Sequence, residues 1–87
     1  MNRDEERKRI GRRIAEIRKS VVWTDGQGIK RKGMTQGELA ERCGLAQSHI
    51  ARIEAGRYSV GLDTLQQIAE ALECEIDLVA IKQHQTK

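Results

Sequence analysis

Apolar residues recur at intervals of three and four positions along most of this sequence. Near the start of the chain the stripe consists of Ile10, Ile14, Ile17 and Val21. This spacing places the four side chains on one face of an α-helix, whereas a half-buried strand would need apolar residues at every second position. We therefore predict a first helix from about residue 5 to residue 22.

A second helix is predicted by a start signal and a stop signal. Thr35 and Glu38 form a capping box, because the Thr35 hydroxyl can accept from the Glu38 amide while the Glu38 carboxylate accepts from the Thr35 amide. The helix therefore begins at Gln36. Gly44 can adopt the positive φ that ends a helix in a tight turn.

Two more helices are predicted in the second half of the chain. One spans about residues 47–54, with Gly56 as its stop signal. Because it is only about two turns long, it must be held by packing against the other helices, which leaves its opposite face free for a partner. The other follows Gly61 as N-cap, and its apolar stripe consists of Leu65, Ile68, Ala69 and Leu72.

Two segments depart from helical periodicity. Residues 24–33 contain three glycines and are predicted to form a flexible loop. Residues 75–81 combine alternation with β-branched side chains, which favours a short strand over the alternative of a fifth helix. A lone strand needs a pairing partner, so we expect this segment to pair with its own copy in a two-fold homodimer.

The composition limits the chain to one small domain with an aliphatic core. The 87 residues include one Trp, one Tyr and no Phe. The core must therefore come from Ile, Leu, Val and Ala, which suits close packing of helices. The scarcity of aromatic residues argues against folds that stack single-stranded nucleic acid on several aromatic rings.

Positive charge is concentrated in the first third of the chain. Residues 1–33 carry eleven Lys/Arg against five Asp/Glu, residues 34–61 carry three of each, and residues 62–87 carry two against five. The basic end favours a polyanionic partner, although a solvated helix face would by itself give some asymmetry. Charge alone does not decide between these alternatives.

Catalytic and metal-binding patterns are missing from the sequence. Cys43 and Cys74 have no metal-ligand spacing, so a zinc site that uses them with His49 or His84 is disfavoured. Two His and two Cys supply no nucleophile with its base and no metal cluster. We expect no enzymatic activity, no metal and no cofactor.

Residues 28–35 superficially resemble a nucleotide-binding loop, but Met34 stands where such a loop needs a lysine.

No apolar run approaches the ~20 residues that cross a bilayer, and no signal-peptide pattern opens the chain. The cysteine usage fits a reducing compartment. We therefore expect a cytoplasmic location.

Residues 34–56, with the sequence MTQGELAERCGLAQSHIARIEAG, resemble the helix-turn-helix of the Cro/C1 repressor family. The resemblance extends to residues 17–19 and 65–72, and it covers most of residues 10–73. It implies an all-α, four- to five-helix bundle of the lambda-repressor-like DNA-binding type, to which the C-terminal dimerising strand would be an addition. The implied organisation is a DNA-binding domain over residues 1–73 with its motif at 35–55, a dimerisation strand over residues 74–82 and a tail over residues 83–87.

The resemblance also implies roles for individual residues. The helix over residues 47–54 would lie in the major groove of double-stranded DNA, with Gln47, Ser48 and Arg52 at base edges. Gln36 would contact a phosphate and steady Gln47. Arg18 and Glu54 would form a structural ion pair. Further residues expected to contact phosphates or to support the contact are His49, Arg57, Tyr58, Lys30, Arg31 and Lys32.

Three features depart from the family pattern. The connection over residues 24–33 is some ten residues longer than usual, and its basic run could reach a phosphate. Ala46 replaces the Ser or Thr that commonly caps the recognition helix, which costs ~1 kcal/mol of capping. Val60 stands where a proline is common.

These features predict a sequence-specific, double-stranded DNA-binding transcriptional regulator that acts as a repressor. The alternative is a protein-interaction module such as an antitoxin, which uses the same fold to bind a toxin. A small protein that co-purifies from the native host would favour the alternative.

Overall fold

The computed structural model describes residues 2–78. In this part of the chain, four helices and a small two-stranded sheet follow one another along the sequence. Their order is α1 (Arg3–Ser20), β1 (Val22–Thr24), β2 (Lys30–Lys32), α2 (Gln36–Cys43), α3 (Gln47–Glu54) and α4 (Leu62–Ala71).

Helix α1 begins two residues earlier than the periodicity of its apolar stripe predicts. The reason is Asn2, whose side-chain oxygen accepts a 2.8 Å hydrogen bond from the Glu5 amide and caps the helix. Acidic residues in the first turn add a favourable interaction with the positive end of the helix dipole. The helix ends where Val21 adopts an extended conformation.

The predicted starts of the other three helices are confirmed. Thr35 and Glu38 form the capping box ahead of α2, and Gly44 ends that helix with φ 73°. Helix α3 begins after Ala46, which makes no side-chain capping hydrogen bond. Helix α4 begins after Gly61, which likewise contributes only its backbone.

The prediction of a flexible loop over residues 24–33 is wrong, and the chain is not strictly all-α. Strands β1 and β2 pair antiparallel, with Trp23 opposite Arg31. The Asp25 carboxylate accepts from the amides of Gln27 and Ile29, both at 2.9 Å, and so fixes the connecting turn. The hairpin also has a core contact, because the Trp23 side chain is only 6% exposed.

The core is mostly aliphatic, as the composition predicts, and Trp23, Met34 and Cys43 are its other members. Helix α1 approaches α3 closely at Gly11, where an added Cβ would lie 2.5 Å from the backbone oxygens of Ile53 and Glu54. A side chain at Gly11 would therefore push the two helices apart. The buried core residues are Ile14, Trp23, Met34, Leu39, Ala40, Cys43, Ile50, Ile53, Ile68, Ala71 and Leu72.

The C-terminal segment lacks the predicted strand as far as the structure describes it. The Cys74 amide donates to the Ala69 carbonyl at 2.9 Å, and residues 75–78 continue without regular secondary structure. Residues 79–81, the rest of the predicted strand, lie outside the described residues. The dimerising strand therefore stays a prediction.

Candidate nucleic-acid interface

Helices α2 and α3 are joined by a short turn that holds them at a fixed angle. The Leu45 amide donates to the Ala40 carbonyl at 2.9 Å, directly after the left-handed Gly44. Ile50 and Ile53 of α3 are buried in the core. Since these two positions define the inner face of α3, the side chains on the opposite side of the helix line the outer surface.

The outer face of α3 is polar and exposed. Gln47, Ser48 and Arg52 are all exposed on it. A Gln side chain can match the donor and the acceptor of the adenine edge in the major groove, and an Arg side chain can donate to both acceptors of the guanine edge. The structure therefore places the three base-contacting candidates on one accessible helix face.

A buried ion pair fixes α3 against α1. Arg18 donates to both carboxylate oxygens of Glu54, at 2.7 and 2.9 Å, and the two side chains are only 9% and 6% exposed. Arg18 also donates to the Met34 carbonyl at 2.7 Å. Such a bidentate ion pair is strong and directional, and loss of one partner would leave a buried charge uncompensated.

Gln36 joins this ion pair rather than contacting Gln47. Its amide nitrogen donates to Glu54 Oε1 at 2.9 Å. The Gln47 side chain lies instead against Gly37, where an added Cβ would come within 3.3 Å of Gln47 Oε1. In the described part of the chain, no hydrogen bond joins Gln36 to Gln47, so the expected pair is not formed.

Tyr58, His49 and Arg52 form a surface cluster beside the base-contacting face. The rings of His49 and Tyr58 pack edge to face with centroids 4.6 Å apart. The Arg52 guanidinium lies 6.0 Å from the Tyr58 ring centroid and 3.4 Å from His49 Nδ1. The two rings thus limit the orientations of Arg52. Arg57, also exposed, follows the end of α3.

The three basic residues of β2 have two different environments. Arg31 makes ion pairs with Glu38 at 3.1 Å and Asp25 at 3.8 Å, and it lies 5.4 Å from the centroid of Trp23. Lys30 and Lys32 are exposed and make no ion pair among the described residues. Arg31 therefore docks the hairpin, whereas the two lysines are available to a partner.

Trp23 is the residue that sequence reasoning missed. Its indole N–H donates to the Gly33 carbonyl at 2.8 Å, and Arg42 of α2 lies 5.3 Å from its ring centroid. Val22 and Thr24 on either side are β-branched, which is the one sequence signal that could have indicated a strand here.

Hydrogen bonds lower the pKa values of the two carboxylates that pair with Arg31. The Ile29 amide holds the pKa of Asp25 below its ordinary value, and the Gln27 amide and Arg31 act in the same direction. The Thr35 amide, followed by Arg31, lowers the pKa of Glu38. Both carboxylates are therefore charged at neutral pH and able to hold Arg31.

The two cysteines lie in a different chemical setting. Burial raises the pKa of the Cys43 thiol and of the Cys74 thiol, so both stay protonated at neutral pH.

Between residues 2 and 78, no three His, Cys, Asp or Glu side chains are grouped to hold a metal ion. None of the helices in this stretch is long and apolar enough to span a bilayer.

A family model described as Helix-turn-helix matches residues 28–79. The immunity repressor protein of Bacillus phage phi105 is 35% identical over 70 residues, which are 80% of this chain and 41% of that protein. The uncharacterized HTH-type transcriptional regulator y4dL of Sinorhizobium fredii is 49% identical over 49 residues, 56% of this chain and 25% of that protein. The chain thus spans less than half the length of both relatives.

The fold also resembles a solved structure. The crystal structure of the restriction-modification controller protein C.AhdI from Aeromonas hydrophila superposes with a TM-score of 0.66 at 25% identity. The match covers 86% of this chain and 93% of that one. With more than half of the chain matched by the family model and with its fold shared by C.AhdI, the protein belongs to the Cro/C1-type helix-turn-helix family.

Proposed function

We propose that the protein is a sequence-specific, double-stranded DNA-binding transcriptional regulator that inserts α3 into the major groove. The main support for this proposal is that Gln47, Ser48 and Arg52 lie on one exposed face of α3. The opposite face of this helix is buried, and the Arg18–Glu54 pair fixes its C-terminal end. A rigid helix with polar side chains on its free face suits direct contact with base edges.

Phosphate contacts would come from residues around this face. Gln36 lies at the N-terminus of α2, and Arg57 follows the end of α3. Lys30 and Lys32 supply unpaired charge on the hairpin. His49 and Tyr58 act first as supports for Arg52, and Arg31 supports the hairpin rather than the DNA contact.

A repressor role is supported by similarity to the phage immunity repressor. Repression would follow if the DNA site overlaps a promoter. Such a regulator acts in the cytoplasm without a cofactor, through a DNA-binding domain over residues 1–73.

We further propose a homodimer formed through residues 75–81, with the dimerisation segment over 74–82 and a tail over 83–87. Two apolar side chains support it, because Leu78 is 95% and Ile76 38% exposed. They border an apolar groove of about 320 Å³ between α1 and α4, lined in part by Ile10 and Leu65. A protein partner such as a toxin on this groove is the second candidate.

Selection of binding sites from random DNA duplexes by the purified protein tests the proposal. The expected result is enrichment of a near-palindrome with half-sites about 10 base pairs apart. If the folded protein enriches no sequence at low or near-physiological salt, the DNA-binding proposal fails. A small protein that co-purifies and blocks the apolar groove would then support the second candidate.

A further inference from the structure

The basic residues of α1 divide into paired and unpaired groups. Four of them are in ion pairs, which are Arg7–Asp4, Arg9–Glu6, Arg13–Glu16 and Arg18–Glu54. The exposed side chains of Arg12 and Lys19, like those of Arg3 and Lys8, make no ion pair with any described residue. Their charge is therefore uncompensated on the protein surface.

Arg12 and Lys19 border the same open hollow between α1 and α3. The seven positions that separate them are about two helical turns, so both lie on one side of α1. The hollow holds about 440 Å³, and it is also lined by Gln36, Ala51 and Ala55. The small alanines leave room above the end of α3, directly beside the proposed phosphate contact of Gln36.

The carboxylates at this hollow are already neutralised. Glu54 accepts from Arg18 and from Gln36. Glu16 accepts from Arg13 at 3.3 Å. The hollow therefore presents a positive rather than a balanced surface.

A second depression continues the positive surface toward the hairpin. It is lined by Lys19 together with Lys32, Gly33 and Thr35. An added Cβ at Gly33 would lie 2.9 Å from the Lys19 carbonyl oxygen, so the end of β2 lies directly against the end of α1. Lys19 thus borders both depressions.

The strand register exposes Lys32 on the outer side of the hairpin. Side chains alternate along a strand, and Arg31 points inward to Trp23 and Glu38. Glu38, the nearest carboxylate in this depression, already accepts from Arg31 and from the Thr35 amide. Lys32 is therefore free to bind an anion from outside.

We propose that Arg12, Lys19 and Lys32 form a phosphate track, along which one DNA strand runs past Gln36 from α1 to the hairpin. The proposal rests on the proposed function and extends the DNA contact beyond α3. The three cations follow the open surface of two adjoining depressions instead of converging on one enclosed point. A linear polyanion fits this arrangement better than a single small anion does.

The salt dependence of duplex binding tests the track. The double variant Arg12→Gln/Lys19→Gln is compared with the parent on the selected duplex, between about 50 and 200 mM salt. The slope of log affinity against log salt is expected to become shallower by about 3.6, since two phosphate contacts are lost from each of the two subunits and each lost contact removes about 0.9. Each single variant, and Lys32→Gln, is expected to remove about half of that.

A matched control separates local contact from net charge. Arg3→Gln/Lys8→Gln removes the same two charges from α1, but from exposed side chains that line neither depression. This control is expected to keep the parent slope, while sedimentation confirms an unchanged oligomeric state for both double variants.

The outcomes distinguish the two proposals. If the parent binds its selected duplex and the Arg12/Lys19 variant has the same slope, the track is wrong and the proposed function stands. Equal flattening by the control would also overturn the track, because only net charge would then matter. If the parent binds no duplex at all, both proposals fail.

Discussion

Arg52 is the side chain on which sequence specificity should depend most. The Tyr58 ring and His49 restrict its orientation on the exposed face of α3. We expect Arg52→Ala to cost about 1–3 kcal/mol of binding at one base pair of the selected site, because a guanidinium can contact guanine with two hydrogen bonds. Competition binding with every substitution at each position of the site measures this loss.

Lys30→Ala is the control for Arg52→Ala. Lys30 is exposed on the hairpin and carries only charge, so its loss should weaken binding to all sequences alike. If Arg52→Ala also weakens every sequence equally, Arg52 contacts the backbone and not a base.

Loss of one partner of the buried Arg18–Glu54 pair should destabilise the fold more than loss of one partner of an exposed ion pair. Since both side chains are buried, we expect Glu54→Ala to lower the free energy of unfolding by about 3–5 kcal/mol, because Arg18 is then buried without its partner. Urea unfolding followed by far-UV circular dichroism measures the loss.

The double variant Arg18→Met/Glu54→Leu tests the reason for that loss. Without either charge, the site should recover a large part of the lost stability, since apolar side chains can replace a buried pair. A double variant no more stable than Glu54→Ala would show that packing, and not the uncompensated charge of Arg18, is responsible.

At the scale of helices and strands, sequence patterns were sufficient wherever the determinants are local. The capping box of Thr35 and Glu38 and the glycine at 44 define α2 within a few residues of chain. The hairpin was missed because its stability depends on a distant contact. Trp23 packs beside Arg42, nineteen positions away in the chain, and no local pattern carries that information.

In the candidate site, too, local patterns predict some features, whereas features that depend on distant contacts could not be predicted. The exposed positions of α3 follow from helical periodicity, and the structure places Gln47, Ser48 and Arg52 where the pattern predicts. The partner of Gln36 could not be predicted in this way. The Gln36 side-chain amide donates to Glu54 and not to Gln47. Which of the two acceptors it reaches depends on the packing angle of α2 and α3.

The docking of the hairpin should depend on pH. The pKa values of Asp25 and Glu38 are lowered in the folded chain, so the stability they contribute is fully present above their ordinary values of 3.8 and 4.5. It is lost as the pH falls through the lowered values, because protonation releases Arg31. We expect Trp23 emission to shift toward that of exposed tryptophan in acid, ahead of the loss of helical circular dichroism.

Asp25→Asn separates the two carboxylates in this titration. The amide keeps an oxygen for the turn but gives no charge to Arg31, so Trp23 should respond to acid through Glu38 alone. If Trp23 emission and the helical signal change together in the parent, the hairpin does not undock independently and the expectation is wrong.

At the scale of the whole molecule, the excess positive charge and the excess negative charge lie in different parts of the chain. Residues 1–33 carry the excess of Lys and Arg, whereas residues 62–87 carry an excess of Asp and Glu. DNA phosphates would attract the first part and repel the second. The exposed Leu78 belongs to the acidic part, so a dimer formed there would leave both DNA-contacting faces free.

Dimerisation through this part predicts a coupled loss of assembly and affinity. We expect Ile76→Asp/Leu78→Asp to sediment as a monomer where the parent is a dimer, because the carboxylates replace apolar side chains that a partner would cover. Affinity for the near-palindrome should fall about a hundredfold, since the second half-site is no longer bound intramolecularly, while affinity for an isolated half-site stays unchanged. Leu62→Asp is the control, because Leu62 is 71% exposed at the start of α4 and outside the proposed interface. A dimer that survives the paired substitution but not Leu62→Asp would move the interface to the N-terminal end of α4.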